Sequence, residues 1–207
     1  LTNINILKYV EQLGANLDCV SINEVKLGLK AGFSSERILF TPNCVDLAEI
    51  EEAMSLKVHI NIDNISILEQ FGNKYGSSYP IFIRINPHIF AGGNYKISTG
   101  HIDSKFGISI HQLRHIERVM KTTSINVEGL HMHTGSEIKD PEVFLQGLEI
   151  MFQLSENFPN LRYIDMGSGF KVPYQKGDME TDVKSLGKKV EKAVTNFKKE
   201  SGKDFEL

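Results

Sequence analysis

Apolar residues recur along the chain in two alternating patterns, one with helical spacing and one with the short runs typical of buried strands. The first helical stripe is followed by Gly14, and glycine is typical of a helix C-terminus. Strands are predicted at residues 17–20, 37–40, 58–63, 80–86, 127–134 and 163–166. Helices are predicted between them, so that strand and helix alternate about six times.

Several predicted helices begin with a side chain suited to cap them. Ser21 and Glu24 have the spacing of a capping box, and Asp46 precedes a stripe of apolar residues. Asp140 is followed by Pro141, which is favoured in the first turn of a helix. We therefore assign these side chains to helix capping and not to chemistry.

This alternation predicts an α/β fold, either a (β/α)8 barrel or a doubly wound parallel sheet. No dinucleotide-binding glycine pattern follows the first strand, which favours the barrel. Barrels keep their chemistry at the carboxyl ends of the strands. The polar or glycine positions at the predicted strand ends are Asp18, Asp63, Arg84, His133 and Gly167.

The two ends of the chain suggest an incomplete barrel. The chain does not begin with Met, and residues 203–207 have the composition of a strand that is just beginning. We therefore expect residues 1–207 to form one partial barrel domain that lacks the first and the last strand.

Composition argues against several classes of partner. The 207 residues include 23 Lys and Arg against 26 Asp and Glu, a net charge of −3 that favours neither nucleic acid nor an anionic membrane. No apolar run approaches the roughly 20 residues of a membrane-spanning helix. Cys19 and Cys44 are too few for a disulfide framework, so a reducing cytoplasm is expected.

The run Gly129–Ser136 holds the sharpest cluster of chemical groups, GLHMHTGS. On a strand, His131 and His133 would face the same way and could bind zinc together with carboxylates such as Asp63. Alternatively, one imidazole forms a flat surface for a heteroaromatic cofactor whose phosphate Ser136 binds. A third interpretation is a pair of core histidines satisfied by hydrogen bonds.

A second cluster follows the last predicted strand, at Gly167, Ser168 and Gly169. Glycines after a strand allow backbone N–H groups to point at an anion, and late barrel strands often carry a phosphate site. A plain tight turn is an equally good interpretation of this segment by itself. Arg84 lies in an otherwise apolar strand, so we expect it to pair with a ligand or with a carboxylate such as Asp18.

Taken together, these segments resemble the fold-type III pyridoxal-phosphate decarboxylases, most closely the branch that acts on diaminopimelate. The segments that carry the resemblance are Leu17–Ser21 with Glu24, Arg84–Pro87, Ile97–Gly100, Ser104–Ile108, Gly129–Ser136 and Asp165–Phe170. They cover most of the chain and follow the family's order. The resemblance implies an alanine-racemase-like (β/α)8 barrel that holds pyridoxal 5′-phosphate.

The resemblance also implies roles for individual residues. His133 matches the histidine that stacks on the pyridine ring of the cofactor. Ser136 and the turn Gly167, Ser168 and Gly169 match the phosphate binders, with Ser168 in the place of a usual glycine. Arg84 and Asp18 match polar positions near the cofactor, and the loop 88–104 matches a mobile segment over the active site.

Other parts of the family pattern have no counterpart in the sequence. None of the lysines matches the motif of the Schiff-base lysine, so no catalytic residue is assigned. The acidic partner of the pyridinium nitrogen and the C-terminal β domain are expected beyond residue 207. By resemblance, the intact protein would be a cytoplasmic homodimer that converts meso-diaminopimelate to L-lysine and CO2. These 207 residues alone would be inactive. Another basic amino-acid or polyamine decarboxylase of the same fold, a metal-dependent barrel hydrolase built on His131 and His133, and a non-catalytic phosphate binder remain alternatives.

Overall fold

The structure is a computed structural model that describes residues 2–89, 104–138 and 140–207. It divides into two compact units. Unit 1 comprises Leu1–Arg84 and Arg114–Val127, and unit 2 comprises Ile85–Leu113 and Glu128–Leu207. Most of the predicted loop 88–104, including the run 97–100, lies outside the described residues.

Unit 1 is built from strands that alternate with helices. Its elements are α1 (Ile4–Gln12), β1 (Leu17–Cys19), α2 (Ile22–Ala31), β2 (Ile38–Phe40), α3 (Leu47–Ser55), β3 (His59–Ile62), α4 (Ile65–Tyr75), β4 (Ile81–Asn86) and α5 (Leu113–Thr123). The last two residues of β4 and the first residue of α5 belong to unit 2. Strands β1 to β4 pair in sequence order, and each pair is parallel. Parallel strands joined by helices are the βαβ arrangement that the sequence predicts.

Side chains cap the helices that follow the first three strands of unit 1. Ser21 accepts the N–H of Glu24 at the start of α2, and Asp46 accepts the N–H of Glu49 at the start of α3. Asn64 does the same for Ile67 in α4, at 2.9 Å. Each cap satisfies one of the N–H groups that the first turn of a helix leaves without a partner.

Unit 2 contains the end of β4 and, apart from most of α5, the elements that follow it. They are β5 (Ile108–Ser109), most of β6 (Val127–His131), α6 (Pro141–Ser155), β7 (Tyr163–Asp165) and α7 (Val183–Ser201). Strands β6 and β7 are parallel. Glu206 forms a further parallel bridge to Tyr163, with the N–H of Ile164 donating to the carbonyl of Glu206. Within the predicted strand start at residues 203–207, Glu206 thus pairs with β7.

Each unit buries its own apolar residues between strands and helices. In unit 1, the fully buried side chains include Ile38, Phe40, Ile60, Leu68, Phe71, Ile81 and Ile83. In unit 2, they include Ile85, Leu130, Met132, Leu148, Met151, Phe158 and Ile164. All of β4 is buried, as expected of a parallel strand covered on both faces. None of the helices in the described ranges is long and apolar enough to cross a membrane.

The structure differs from the predicted elements at two places. The strand predicted at 127–134 ends at His131, because the chain turns away before the left-handed Gly135, whose φ is +130°. The short strand β5 pairs Ile108 with Ile85 and was not predicted. Two residues are too few to show a period in the sequence.

Candidate functional site

The carboxyl ends of β6 and β7 lie side by side in unit 2. His131, the last residue of β6, is in register with Asp165, the last residue of β7. The N–H of Met132 continues the ladder by donating to the carbonyl of Asp165 at 2.9 Å. The loops that leave these two strands therefore start next to each other, at the edge where parallel strands place functional groups.

The turn Gly167–Ser168–Gly169 follows β7, and its two glycines have a left-handed backbone conformation whereas the serine between them does not. Gly167 and Gly169 have φ values of +65° and +100°, whereas Ser168 is not in the left-handed region. A Cβ at Gly167 would lie 2.7 Å from the carbonyl oxygen of Met132 and 2.8 Å from Nδ1 of His133. The turn thus packs directly against the His133 ring, and only glycine fits at position 167.

Gly169 brings the turn against the loop that follows β6. A Cβ at Gly169 would overlap the carbonyl oxygen of Gly135 and lie 3.3 Å from Cα of Ser136. The carbonyl of Gly169 also accepts the N–H of Ile138 at 2.9 Å. The structure therefore brings together four of the predicted site positions on the two loops, Ser136, Gly167, Ser168 and Gly169, and His133 lies against the same turn.

The turn offers backbone donors to an anion. Within the described parts of the chain, the N–H groups of Ser136, Ser168 and Gly169 have no hydrogen-bond partner. Ser136 and Ser168 are also exposed. Successive N–H groups in a turn of alternating hand form a concave anion site, commonly called a nest. By contrast, the N–H of Gly167 is already used, because it donates to Oδ1 of Asp165 at 2.7 Å.

The two histidines occupy different surroundings. His131 is buried inside β6 with 2% of its surface exposed, and one of its ring nitrogens lies within 4.8 Å of a carboxylate oxygen of Asp165. His133 is half-buried and lies beyond the end of the strand, against Gly167. Among the described residues, His133 belongs to no group of three potential metal ligands. The prediction of a zinc pair assumed a strand through residue 134, and that strand ends at His131.

A loop formed by residues 171–181, which we call loop 171–181, continues from the glycine turn. Its two ends are joined by the N–H of Thr181, which donates to the carbonyl of Lys171 at 2.9 Å. The hydroxyl of Thr181 donates to the carbonyl of Ile138 at 2.6 Å. The Lys171 ammonium donates to Glu137 at 2.8 Å, and this bond raises the pKa of Lys171. No spacing in the sequence predicts the hydrogen bonds that hold this loop in place, and they were not predicted.

The remaining two predicted site residues, Asp18 and Arg84, belong to unit 1. Arg84 is buried in β4 with 6% of its surface exposed, whereas Asp18 in β1 is exposed. Cys19, which follows Asp18 in the chain, is buried. Its desolvation raises its pKa to about 12, with a smaller contribution from the charges of Glu24 and Asp18. Cys19 is therefore a protonated core residue. The placement of Asp18 and Arg84 near a cofactor stays a prediction.

Comparison with known proteins decides the family. The sequence model of the family described as "Pyridoxal-dependent decarboxylase, pyridoxal binding domain" matches residues 1–207. The chain belongs to this family. The resemblance stated from the motifs is thereby confirmed, and so is the expectation that pyridoxal phosphate is the cofactor of the family.

Individual relatives of this pyridoxal-binding domain are diaminopimelate decarboxylases. The enzyme of Methanothermobacter thermautotrophicus is 30% identical over 194 residues, which cover 91% of this chain and 45% of the relative. A crystal structure of a diaminopimelate decarboxylase matches with a TM-score of 0.88 and 28% identity, covering 100% of this chain and 50% of the other. The Helicobacter pylori enzyme, crystallised with L-lysine, matches with a TM-score of 0.84 and 28% identity over 94% of this chain and 51% of the other.

These matches confirm the fold class, an incomplete (β/α)8 barrel of the fold-type III decarboxylases. The chain spans about half the length of the relatives it matches. The donor set of the glycine turn also fits the phosphate of the family's cofactor. The N–H groups of Ser136, Ser168 and Gly169 on these two adjoining loops have no partner among the described residues. A Cβ at Gly167 or Gly169 would overlap neighbouring backbone, so both positions require glycine.

Proposed function

We propose that the protein binds pyridoxal 5′-phosphate and decarboxylates meso-2,6-diaminopimelate to L-lysine and CO2. The observation that carries this proposal is the contact between the glycine turn after β7 and the loop after β6. Gly169 packs on Gly135 and Ser136, so that the two loops that carry these N–H donors are in direct contact. The whole-length family match and relatives near 30% identity support the same chemistry.

In this proposal the phosphate binds at the glycine turn. Ser168 and Gly169 donate backbone N–H groups, and the exposed Ser136 contributes its N–H and its hydroxyl. Ser168 needs no left-handed backbone, so a side chain is tolerated between the two glycines. The substitution of serine for the family's usual glycine is thus compatible with a phosphate turn.

His133 provides the surface on which the pyridine ring stacks. Its ring lies against Gly167, which limits its freedom on one side. When bound, the cofactor supplies an electron-accepting ring for the electron pair that CO2 leaves behind. His133 and the glycine turn would hold the two ends of this planar molecule, so that the ring orientation is determined by the protein.

The described lysines do not supply an obvious nucleophile. Lys171 is the nearest to the turn in sequence, but Glu137 raises its pKa and keeps it protonated. A lysine that reacts with a carbonyl needs the opposite shift. We therefore propose that residues 1–207 alone bind the cofactor without turning over the substrate, and that the lysine comes from outside them.

We propose meso-diaminopimelate as the substrate because the relatives are diaminopimelate decarboxylases. The test compares CO2 release from several amino acids. The full-length natural protein should release CO2 from meso-diaminopimelate only when pyridoxal phosphate is present. L-Ornithine, L-arginine and L-lysine, supplied at the same concentration, should give much less CO2. CO2 release mainly from one of these would identify another basic amino-acid decarboxylase. A failure to bind pyridoxal phosphate would reject the proposal and favour an unrelated phosphate ligand.

The assembly and location of the protein are parts of the same proposal. By family resemblance we propose a cytoplasmic homodimer whose only required ligands are the cofactor and an amino-acid substrate. The net charge of −3 gives no reason to expect nucleic acid as a partner. Analytical ultracentrifugation of the full-length protein would test the dimer, and a single species with the mass of one chain would contradict it.

A further inference from the structure

Asp165 makes a contact that the proposed phosphate chemistry does not use. It is the last residue of β7, and its Oδ1 accepts the N–H of Gly167 at 2.7 Å. Its own carbonyl accepts the N–H of Met132 from the neighbouring strand end. Asp165 is therefore attached at one side to the β6 loop and at the other to the glycine turn.

The bond to Gly167 determines the shape of the turn. An aspartate that accepts the N–H two residues later closes a local turn through its side chain. Gly167 is held in the left-handed region with φ +65°, and a Cβ built on it would lie 3.2 Å from Cβ of His133. Fixing Gly167 thus sets where the N–H groups of Ser168 and Gly169 point.

The charge of Asp165 argues that its role is geometric. A carboxylate close to a phosphate site repels the anion and weakens its binding. The contact of Asp165 that could favour phosphate binding is the hydrogen bond to Gly167, which shapes the turn. Because this bond uses the N–H of Gly167, the donors left for an anion are those of Ser168 and Gly169.

We propose that Asp165 is a positioning residue for phosphate recognition, acting through the N–H of Gly167 and not by touching the ligand. This inference rests on the proposed function, since it specifies how the same turn binds the phosphate. It differs from a purely structural role because it affects ligands with a phosphate and spares those without one. It also predicts that the acceptor oxygen matters and the negative charge does not.

The test compares two substitutions in the full-length protein with two probes, pyridoxal 5′-phosphate and pyridoxal. Asp165→Ala removes the acceptor and should weaken pyridoxal phosphate binding about tenfold. Binding of pyridoxal, which lacks the phosphate, should change less than about twofold. Asp165→Asn keeps an acceptor oxygen and removes the repulsion, so it should bind pyridoxal phosphate at least as tightly as the wild type.

A matched control and a readout independent of the ligand complete the experiment. Asp182→Ala removes a carboxylate that accepts the N–H of Ser185 at 2.9 Å, and it should leave both affinities unchanged. Amide exchange at Gly167 should accelerate in Asp165→Ala and stay slow in Asp165→Asn, with no ligand present.

The possible results separate the two proposals. Equal weakening of both probes in Asp165→Ala, or a loss in Asp165→Asn as large as in Asp165→Ala, would overturn the positioning role. Unchanged binding in Asp165→Ala would also overturn it. A wild-type protein that binds neither probe would instead reject the proposed function, and the exchange rate at Gly167 would still report whether Asp165 shapes the turn.

Discussion

The segments that follow strands differ between the two units in how their backbone N–H groups are satisfied. In unit 1 side chains cap the helix that follows, whereas after β7 in unit 2 some N–H groups are left for a ligand. In unit 1, Ser21, Asp46 and Asn64 each bind an N–H of the helix that follows. After β7, the Asp165 side chain accepts the N–H of Gly167, and within the described chain the N–H groups of Ser168 and Gly169 have no partner. The capped junctions are closed to an anion, and the uncapped one is open to it.

The spacing of the elements follows the same division. In unit 1, α2 begins at Ile22 soon after β1 ends at Cys19, whereas in unit 2 β7 ends at Asp165 and α7 begins only at Val183, after loop 171–181. That loop is closed by its own bonds between Lys171 and Thr181. A junction that serves binding therefore needs a separate set of contacts to stay ordered, because no helix directly continues from it.

The largest effect is expected from Gly169→Ala, which breaks the contact between the two loops. Its Cβ would overlap the Gly135 carbonyl, and its φ of +100° is unfavourable for alanine. We expect a loss of about 2–4 kcal/mol in the free energy of unfolding. Pyridoxal phosphate binding should fall below detection, measured by fluorescence titration alongside urea unfolding.

Gly187→Ala is the matched control for this substitution. Gly187 lies in α7 with open space around its missing Cβ, so alanine should stabilise the helix by about 0.5–1 kcal/mol. Cofactor binding should not change. Wild-type affinity in Gly169→Ala would show that contact between the loops is not required for the site.

A smaller and more selective effect is expected from Ser168→Pro. Proline removes one of the two N–H groups that the turn offers, and serine at this position has a backbone that is not left-handed. We expect pyridoxal phosphate affinity to fall about tenfold. Ser168→Ala, which keeps the N–H, should stay within about threefold of the wild type. Equal losses in both variants would assign the contribution to the hydroxyl.

The capped junctions of unit 1 should respond in the opposite way. Asp46→Ala removes the acceptor for the N–H of Glu49 and should cost about 1 kcal/mol of unfolding free energy. Cofactor affinity should be unchanged, as measured by the same titration. A drop in affinity with unchanged stability would contradict the division between closed and open junctions.

Much of this division was visible in the sequence. Ser21 and Asp46 were assigned to helix capping from their spacing alone, and the structure confirms both. The alternation of strands and helices was predicted as well, whereas the pairing of Ser136 with the glycine turn was implied only by the family resemblance. These features depend on local chemistry and on a period of the chain, which a single sequence records.

The features that were missed depend on contacts between segments distant in the sequence. The end of β6 at His131 and the contact of Gly169 with Gly135 arise where two loops meet. Likewise, Glu137 and Lys171 form an ion pair although 34 residues separate them. No local pattern encodes such pairings, so the sequence alone did not show that the strand ends before His133.

The smallest expected effect concerns the ion pair between Glu137 and Lys171, which joins the loop after β6 to loop 171–181. Glu137 accepts a hydrogen bond from Lys171 and raises its pKa, with further raising by the charges of Asp178 and Tyr174. A raised lysine pKa means that the stabilisation is complete below the ordinary lysine value, about 10.4. It is then lost as the pH rises through the higher folded value.

The test is the substitution Glu137→Gln, which should lower the titration midpoint of Lys171 as measured by NMR of its ε-carbon. The control Glu142→Gln breaks the exposed ion pair with Lys189 and should leave the Lys171 midpoint unchanged. The stability difference between wild type and Glu137→Gln should be constant from pH 7 to 9 and shrink only in more alkaline solution. A difference that already shrinks below pH 9 would show that Lys171 does not supply the charge that matters.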